Sequence, residues 1–109
     1  MSAFFIIHRR EIKDPDHLKA YRMGVDETIR KFGGKVVVRA DGFEVLEGDW
    51  HPGEKRNDAE PERITVVQFP DMTALKAWYD SDEYAELKSI RQQSAVSDAV
   101  AVETRRVEH

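Results

Sequence analysis

The sequence of 109 residues contains no cysteine, which excludes disulfides, thiolate nucleophiles and zinc sites built on thiolates. It also lacks a long apolar run, because the first one covers only Phe4 to Ile7 and the charges of Arg9 and Arg10 follow it. A signal peptide has its charges first, and a membrane span needs roughly 20 apolar residues. We therefore expect a soluble, cytoplasmic protein with no membrane partner.

The chain also lacks an excess of positive charge. It carries 17 basic and 21 acidic residues, a formal net charge of -4, and no dense basic run. Binding of nucleic acid needs a concentrated positive face, so we expect no nucleic-acid partner. The fingerprints of a serine nucleophile, a phosphate-binding loop and a dinucleotide site are absent, and no cofactor is expected.

Apolar periodicity and turn residues predict one α+β domain over residues 1–109, with 40% hydrophobic residues to form its core. An exposed loop is expected at about 51–62, and a tail after about 104. Helices are expected from Asp14-Pro15 to Gly33-Gly34, from Pro70-Asp71, and from the N-cap Ser81. Strands are expected at Ala3–Arg9, Lys35–Arg39, Phe43–Glu47, Arg63–Phe69 and Asp98–Glu103. This order is typical of a ferredoxin-like fold, an antiparallel sheet with helices on one face.

Three of these strands are apolar on both sides, at Phe4–Ile7, Val36–Val38 and Val66–Val67. A strand exposed on one face alternates apolar and polar residues, and helices cover only one face in this plan. An uncovered apolar face would favour aggregation. The pattern therefore predicts a homodimer in which a second copy of the sheet covers the other face.

Several motifs follow one another along the chain. They are Tyr21, Phe32-Gly33-Gly34-Lys35, Val45-Leu46-Glu47-Gly48-Asp49-Trp50, Val67-Gln68-Phe69-Pro70, Ala77-Trp78-Tyr79-Asp80-Ser81-Asp82-Glu83-Tyr84 and Arg91. In this order they resemble the domain of unknown function 1330 family, over roughly residues 3 to 103. The resemblance implies a dimeric α+β barrel and no assigned reaction. The loop at 51–62 is longer than the connection expected in that family.

The stretch from Trp78 to Arg91 has two interpretations. Trp78 and Tyr84 have the spacing of core residues on either side of a helix break capped by Ser81, and aromatics at helical spacing are usually core. They are also candidate walls of a ligand pocket between helices and sheet, together with Tyr21.

Arg91 lies seven residues after Tyr84, so both project from nearly the same helical face. A salt bridge to Glu47 or Asp49 is the structural interpretation. The functional one is an anchor for a ligand carboxylate, because a guanidinium offers a planar fork of donors.

Glu47, Asp49 and His51 alternate, so a regular strand would place them on one face as a conceivable metal set. Gly48 and Pro52 favour a solvated strand end instead, and we predict no metal site.

His8 ends the first strand, and an imidazole can exchange protons near neutral pH. A histidine at a strand end is more often only hydrogen-bonded. We expect a protein that binds a small organic molecule, an anionic one where Arg91 is the anchor, with Tyr21, Trp78, Tyr84 and Arg91 as ligand-binding residues. Binding alone and binding with turnover both stay open, and His8 or Glu47 is the catalytic group in the second case. The alternative is a non-catalytic ligand sensor or accessory homodimer.

Overall fold

A computed structural model describes residues 2–50 and 62–105 of the chain. The predicted loop at 51–62, except Glu62, and the end of the predicted tail lie outside the described residues. The elements in chain order are β1 (Ala3–Ile12), α1 (Pro15–Lys31), β2 (Lys35–Asp41), β3 (Arg63–Phe69), α2 (Met72–Tyr79), α3 (Asp82–Ser94) and β4 (Ala95–Glu103).

The helices begin at the capping residues that the sequence indicates. The Asp14 carboxylate accepts a hydrogen bond from the His17 backbone N–H at 3.1 Å. The Ser81 hydroxyl accepts one from the Tyr84 N–H at 3.2 Å. Each bond satisfies a backbone donor that has no partner inside the helix. Helix α1 ends before Gly33, whose φ of 83° lies in the left-handed region that glycine tolerates best.

The four strands form one antiparallel sheet in the order β2-β3-β1-β4. Phe5 of β1 lies opposite Val67 of β3 and Ala101 of β4. This strand order, with the helices on one face of the sheet, confirms the predicted ferredoxin-like fold. In the described part of the chain, no helix is both long and apolar enough to cross a membrane.

The core lies between the helices and one face of the sheet. Its largest fully buried side chains include Trp78, Tyr84, Phe69 and Val67. The Trp78 ring lies 4.1 Å from the Tyr84 ring and 5.3 Å from the Phe69 ring, measured between centroids. The break between α2 and α3 therefore places both aromatic side chains of the Trp78–Arg91 stretch in the core.

The strand predicted at Phe43–Glu47 is wrong. Residues 43–50 form no strand, and β2 pairs directly with β3, with Asp41 opposite Arg63. Gly48 has a φ of 88°, which a regular strand does not allow. Phe43 and Trp50 instead pack their rings against the His8 ring. This segment is therefore held by side-chain contacts and not by hydrogen bonds to a neighbouring strand.

The second face of the sheet carries an apolar surface that the helices do not cover, and we call it the open face. Phe4 and Ile6 of β1 alternate with the core residues Ala3, Phe5 and Ile7, and they are only partly buried. Their cross-strand neighbours share this face. The open face includes Val38, Ile64, Val66, Val100 and Val102.

Candidate functional site

A cavity of about 80 Å³ lies between the helices and the sheet, and we call it the helix-side cavity. Apolar side chains from β1, β2, β3 and α1 form most of its wall. It holds more than one water molecule, since one needs roughly 10–15 Å³ by the same measure. Its lining includes Phe5, Ile7, Leu18, Tyr21, Val25, Ile29, Val36, Thr65, Val67, Trp78, Arg91 and Ser97.

Arg91 is the buried cation of this cavity, with 7% of its surface exposed. Its Nε donates to the Tyr84 hydroxyl at 3.4 Å, a long hydrogen bond. Within the described residues, no carboxylate lies within ion-pair distance of the guanidinium. The alternative of a salt bridge to Glu47 or Asp49 is not realised, because Asp49 lies against the open face.

Two tyrosines lie beside Arg91: Tyr21 lines the cavity, whereas Tyr84, also predicted as a wall, is fully buried and does not line it. The Tyr21 and Tyr84 hydroxyls are 3.0 Å apart. Burial raises the pKa of Tyr21 well above its usual value, because a phenolate would be poorly solvated there. Burial opposes the charge of Arg91, but the neighbouring phenolic oxygens outweigh that effect and raise its pKa. The arrangement therefore keeps Arg91 cationic and Tyr21 neutral.

The cavity wall is rich in arginine. Arg39 pairs with Asp26 at 3.0 Å, and Arg63 pairs with Asp41 at 2.6 Å. Among the described residues that line the cavity there is no aspartate, glutamate or histidine. Arg91, which has no carboxylate partner among the described residues, is the charge that favours an anion in this cavity. Besides Arg91, the arginines of the lining are Arg9, Arg22, Arg39 and Arg63.

Ser97 adds an unsatisfied polar atom to the same wall. Its Oγ is buried and has no hydrogen-bond partner within the described part of the chain. A buried hydroxyl without a partner is costly, so it is a candidate contact for a polar ligand atom. Neither Ser97 nor Arg9 was singled out from the sequence. Arg9 alternates with the same period as Phe5 and Ile7, so its side chain lies on their face of β1. A charged residue among core positions of a strand is the sequence pattern that could have indicated it.

The structure does not bring the predicted catalytic residues to this cavity. His8 is buried on the open face, where its Nε2 lies 2.7 Å from the Glu62 Oε2. Glu47 is exposed and does not line the helix-side cavity. The sheet therefore separates His8 from Tyr21 and Arg91, and one site combining all three is not formed.

The conceivable metal set of Glu47, Asp49 and His51 is not observed. His51 lies outside the described residues, and residues 2–50 and 62–105 contain no group of three side chains positioned to hold a metal ion.

The family described as Domain of unknown function (DUF1330) matches residues 2–105. The chain belongs to this family. The resemblance drawn from the motifs between Tyr21 and Arg91 is thereby confirmed. A search of curated proteins found no match.

Solved structures share the fold at low sequence identity. SnoaB, a cofactor-independent oxygenase from Streptomyces nogalater, is 8% identical with a TM-score of 0.64, covering 97% of this chain and 95% of its own. A Rhodopseudomonas palustris protein of unknown function is 18% identical with a TM-score of 0.64, covering 97% and 85%. A dimeric ferredoxin-like protein from Jannaschia sp. CCS1 is 13% identical with a TM-score of 0.62, covering 95% and 100%. These similarities establish the fold alone.

Proposed function

We propose that the protein binds a small organic acid in the helix-side cavity, with the ligand carboxylate on Arg91. The observation that carries this proposal is a buried guanidinium with no carboxylate partner in the described part of the chain. Removing a charge from water is expensive unless a counter-charge or several hydrogen bonds replace the water. One long hydrogen bond to a phenol compensates for little of the lost hydration, whereas a carboxylate would accept two parallel hydrogen bonds from the guanidinium.

The cavity also limits the size and shape of the ligand. A volume of about 80 Å³ accommodates a carboxylate and a short apolar body. Phe5, Ile7 and Val25 would contact that body. Arg22 and Arg39 also line the cavity and are exposed, so they lie toward its solvent side.

The absence of acids and histidines from the described lining favours a non-catalytic role, a ligand sensor or accessory module. If the protein is an enzyme, proton transfer in this cavity would fall to Tyr21, whose hydroxyl is hydrogen-bonded to that of Tyr84. SnoaB shows that this fold supports cofactor-independent oxygenation in one protein, but function on a shared fold depends on the site.

A titration with acetate, propionate and benzoate, followed by calorimetry, tests the proposal. Arg91→Gln should weaken binding of the acid that binds best by about tenfold or more, because hydrogen bonds between charged groups are lost. Arg39→Gln is the matched control, since that arginine is exposed and already paired with Asp26. Equal affinity of the Arg91→Gln variant and the wild type would refute the anchor.

We also infer that the protein is a homodimer whose two open faces pack together. Apolar side chains on that face support it, with Val38 43% and Val102 42% exposed in one chain. The Jannaschia neighbour is described as dimeric, which agrees with this arrangement. A cytoplasmic location stays a prediction from the sequence.

A further inference from the structure

We propose that the ligand of the helix-side cavity is a 2-hydroxy or 2-oxo acid, whose second oxygen is hydrogen-bonded to the Ser97 hydroxyl. This inference rests on the proposed function, in which Arg91 holds the ligand carboxylate. The observation that carries it is the Ser97 Oγ, a buried atom of a residue that lines the cavity, without a hydrogen-bond partner in the described part of the chain. An acid with an oxygen next to its carboxylate would supply that partner.

Arg91 and Ser97 lie at the same end of the cavity. Arg91 is in the last turn of α3, and β4 begins directly after that helix, with Ser97 as its third residue. The Lys13 backbone N–H donates to the Ser94 carbonyl at 2.7 Å, which joins this end of α3 to the residues before α1. The guanidinium and the hydroxyl therefore form a polar end where α3 passes into β4.

Apolar side chains form the other end. Phe5 lies opposite Val67 across the β1–β3 pair, and Val67 lies opposite Val36. On β1 the residue opposite Ser97 is Arg9, four residues after Phe5. A strand rises about 3.3 Å per residue, so these two positions of β1 are about 13 Å apart. A ligand with both oxygen functions at one end and carbon at the other matches this division.

The positions of the hydroxyls favour an oxygen next to the carboxylate over one farther along the ligand. Thr65 is the other aliphatic hydroxyl of the described lining, and it lies opposite Ile7, farther toward the apolar end than Ser97. Its oxygen is not a buried atom without a partner, whereas that of Ser97 is. A ligand oxygen at Ser97 therefore satisfies a group that the folded chain leaves unsatisfied, and no hydrogen bond within the protein is lost.

Propionate, lactate and pyruvate are the probes, because they share a three-carbon skeleton and differ at carbon 2. In a calorimetric titration at pH 7, lactate or pyruvate should bind the wild type about fivefold more tightly than propionate. Ser97→Ala should remove this preference and leave the propionate affinity within about twofold. A hydroxyl donates and accepts whereas an oxo group only accepts, so the acid that binds more tightly identifies the ligand class.

Ser89→Ala is the matched control, the same change at an exposed position of α3, where the hydroxyl accepts a hydrogen bond from Gln93. It should leave all three affinities unchanged. Ser97→Ala removes a hydroxyl without a partner, so the midpoint of thermal unfolding without ligand should not fall. A lower midpoint, with all three acids weakened alike, would show a structural role and overturn the inference.

Two further results would also overturn it. The first is equal affinity of the wild type for the three acids; the Arg91 anchor would still stand if Arg91→Gln weakens propionate binding. The second is a preference that survives Ser97→Ala, and its loss in Thr65→Val would assign the contact to that hydroxyl. If none of the three acids binds, the proposed function fails and this inference fails with it.

Discussion

At the scale of single residues, the Tyr21 hydroxyl is a stabilising group that pH can remove. Tyr21→Phe deletes its hydrogen bond to Tyr84 and should lower the free energy of unfolding by about 0.5–1.5 kcal/mol at pH 7. An unfolded tyrosine ionises near pH 10, whereas burial raises the folded pKa of Tyr21. The unfolded state therefore loses its proton first, and stability falls as the pH rises above about 10.

Urea unfolding of the wild type and Tyr21→Phe at several pH values between neutrality and pH 11 measures both effects. The difference between the two proteins should shrink on the alkaline side, because the variant lacks the phenol that ionises on unfolding. A difference that is constant with pH would contradict the assigned cause.

Arg91 shows what a sequence reveals about a residue and what it leaves open. Its spacing of seven from Tyr84 predicted a shared helical face, and the two side chains do meet. The lack of a carboxylate beside it depends on which elements the fold brings near, and no local pattern encodes that. His8 illustrates the same limit, since strand phase placed it with Phe4 and Ile6 but not beside Glu62.

At the scale of elements, the joint between α1 and β2 leaves no room for a side chain at Gly34. A Cβ added there would lie 2.6 Å from the Phe69 Cε1 and 2.8 Å from the Ile29 Cγ2. Both neighbours are almost fully buried and have little room to move. Gly34→Ala should lower the free energy of unfolding by about 1–3 kcal/mol.

Gly24→Ala is the matched control for that joint. A Cβ at position 24 meets the end of the flexible Leu87 side chain at 3.3 Å, and alanine improves helix propensity. Denaturation of both variants at one protein concentration makes the comparison. Equal losses at the two positions would show that packing against Phe69 and Ile29 is not the cause.

Helices whose ends carry local sequence signals were predictable, whereas the strand expected at Phe43–Glu47 was not formed. Asp14, Ser81 and Gly33 each mark a helix boundary through a hydrogen bond or a backbone angle of that residue alone. The segment from Phe43 to Glu47 has strand-like composition, but β3 pairs with β2 in the place that a hairpin partner would take, and the Phe43 ring packs against His8 instead. Competition for a partner strand is a property of the sheet, which composition does not report.

At the scale of the whole molecule, the sheet divides the protein into two surfaces of different chemistry. Arg91, Tyr21 and the other arginines lie on the helix side, whereas His8 and Glu62 lie on the open face. A variant at one surface should therefore leave the other intact.

The open face also predicts the oligomeric state. Val38 is 43% exposed in one chain, so an aspartate there would be solvated in a monomer and the fold would tolerate it. In the inferred dimer the same carboxylate would be buried against the partner sheet without a counter-charge, which costs several kcal/mol. Val38→Asp should therefore convert the dimer to a monomer with an unchanged circular dichroism spectrum.

Native mass spectrometry of the wild type, Val38→Asp and Met23→Asp decides this prediction. Met23 is also apolar and is 80% exposed, but it lies on α1, away from the open face, so its substitution should leave the dimer intact. A dimer in all three proteins would place the interface elsewhere. A wild-type monomer would contradict the dimer outright, and the apolar open face would then need another cover. Extra small-molecule mass on the wild type would, in the same spectrum, reveal a bound ligand.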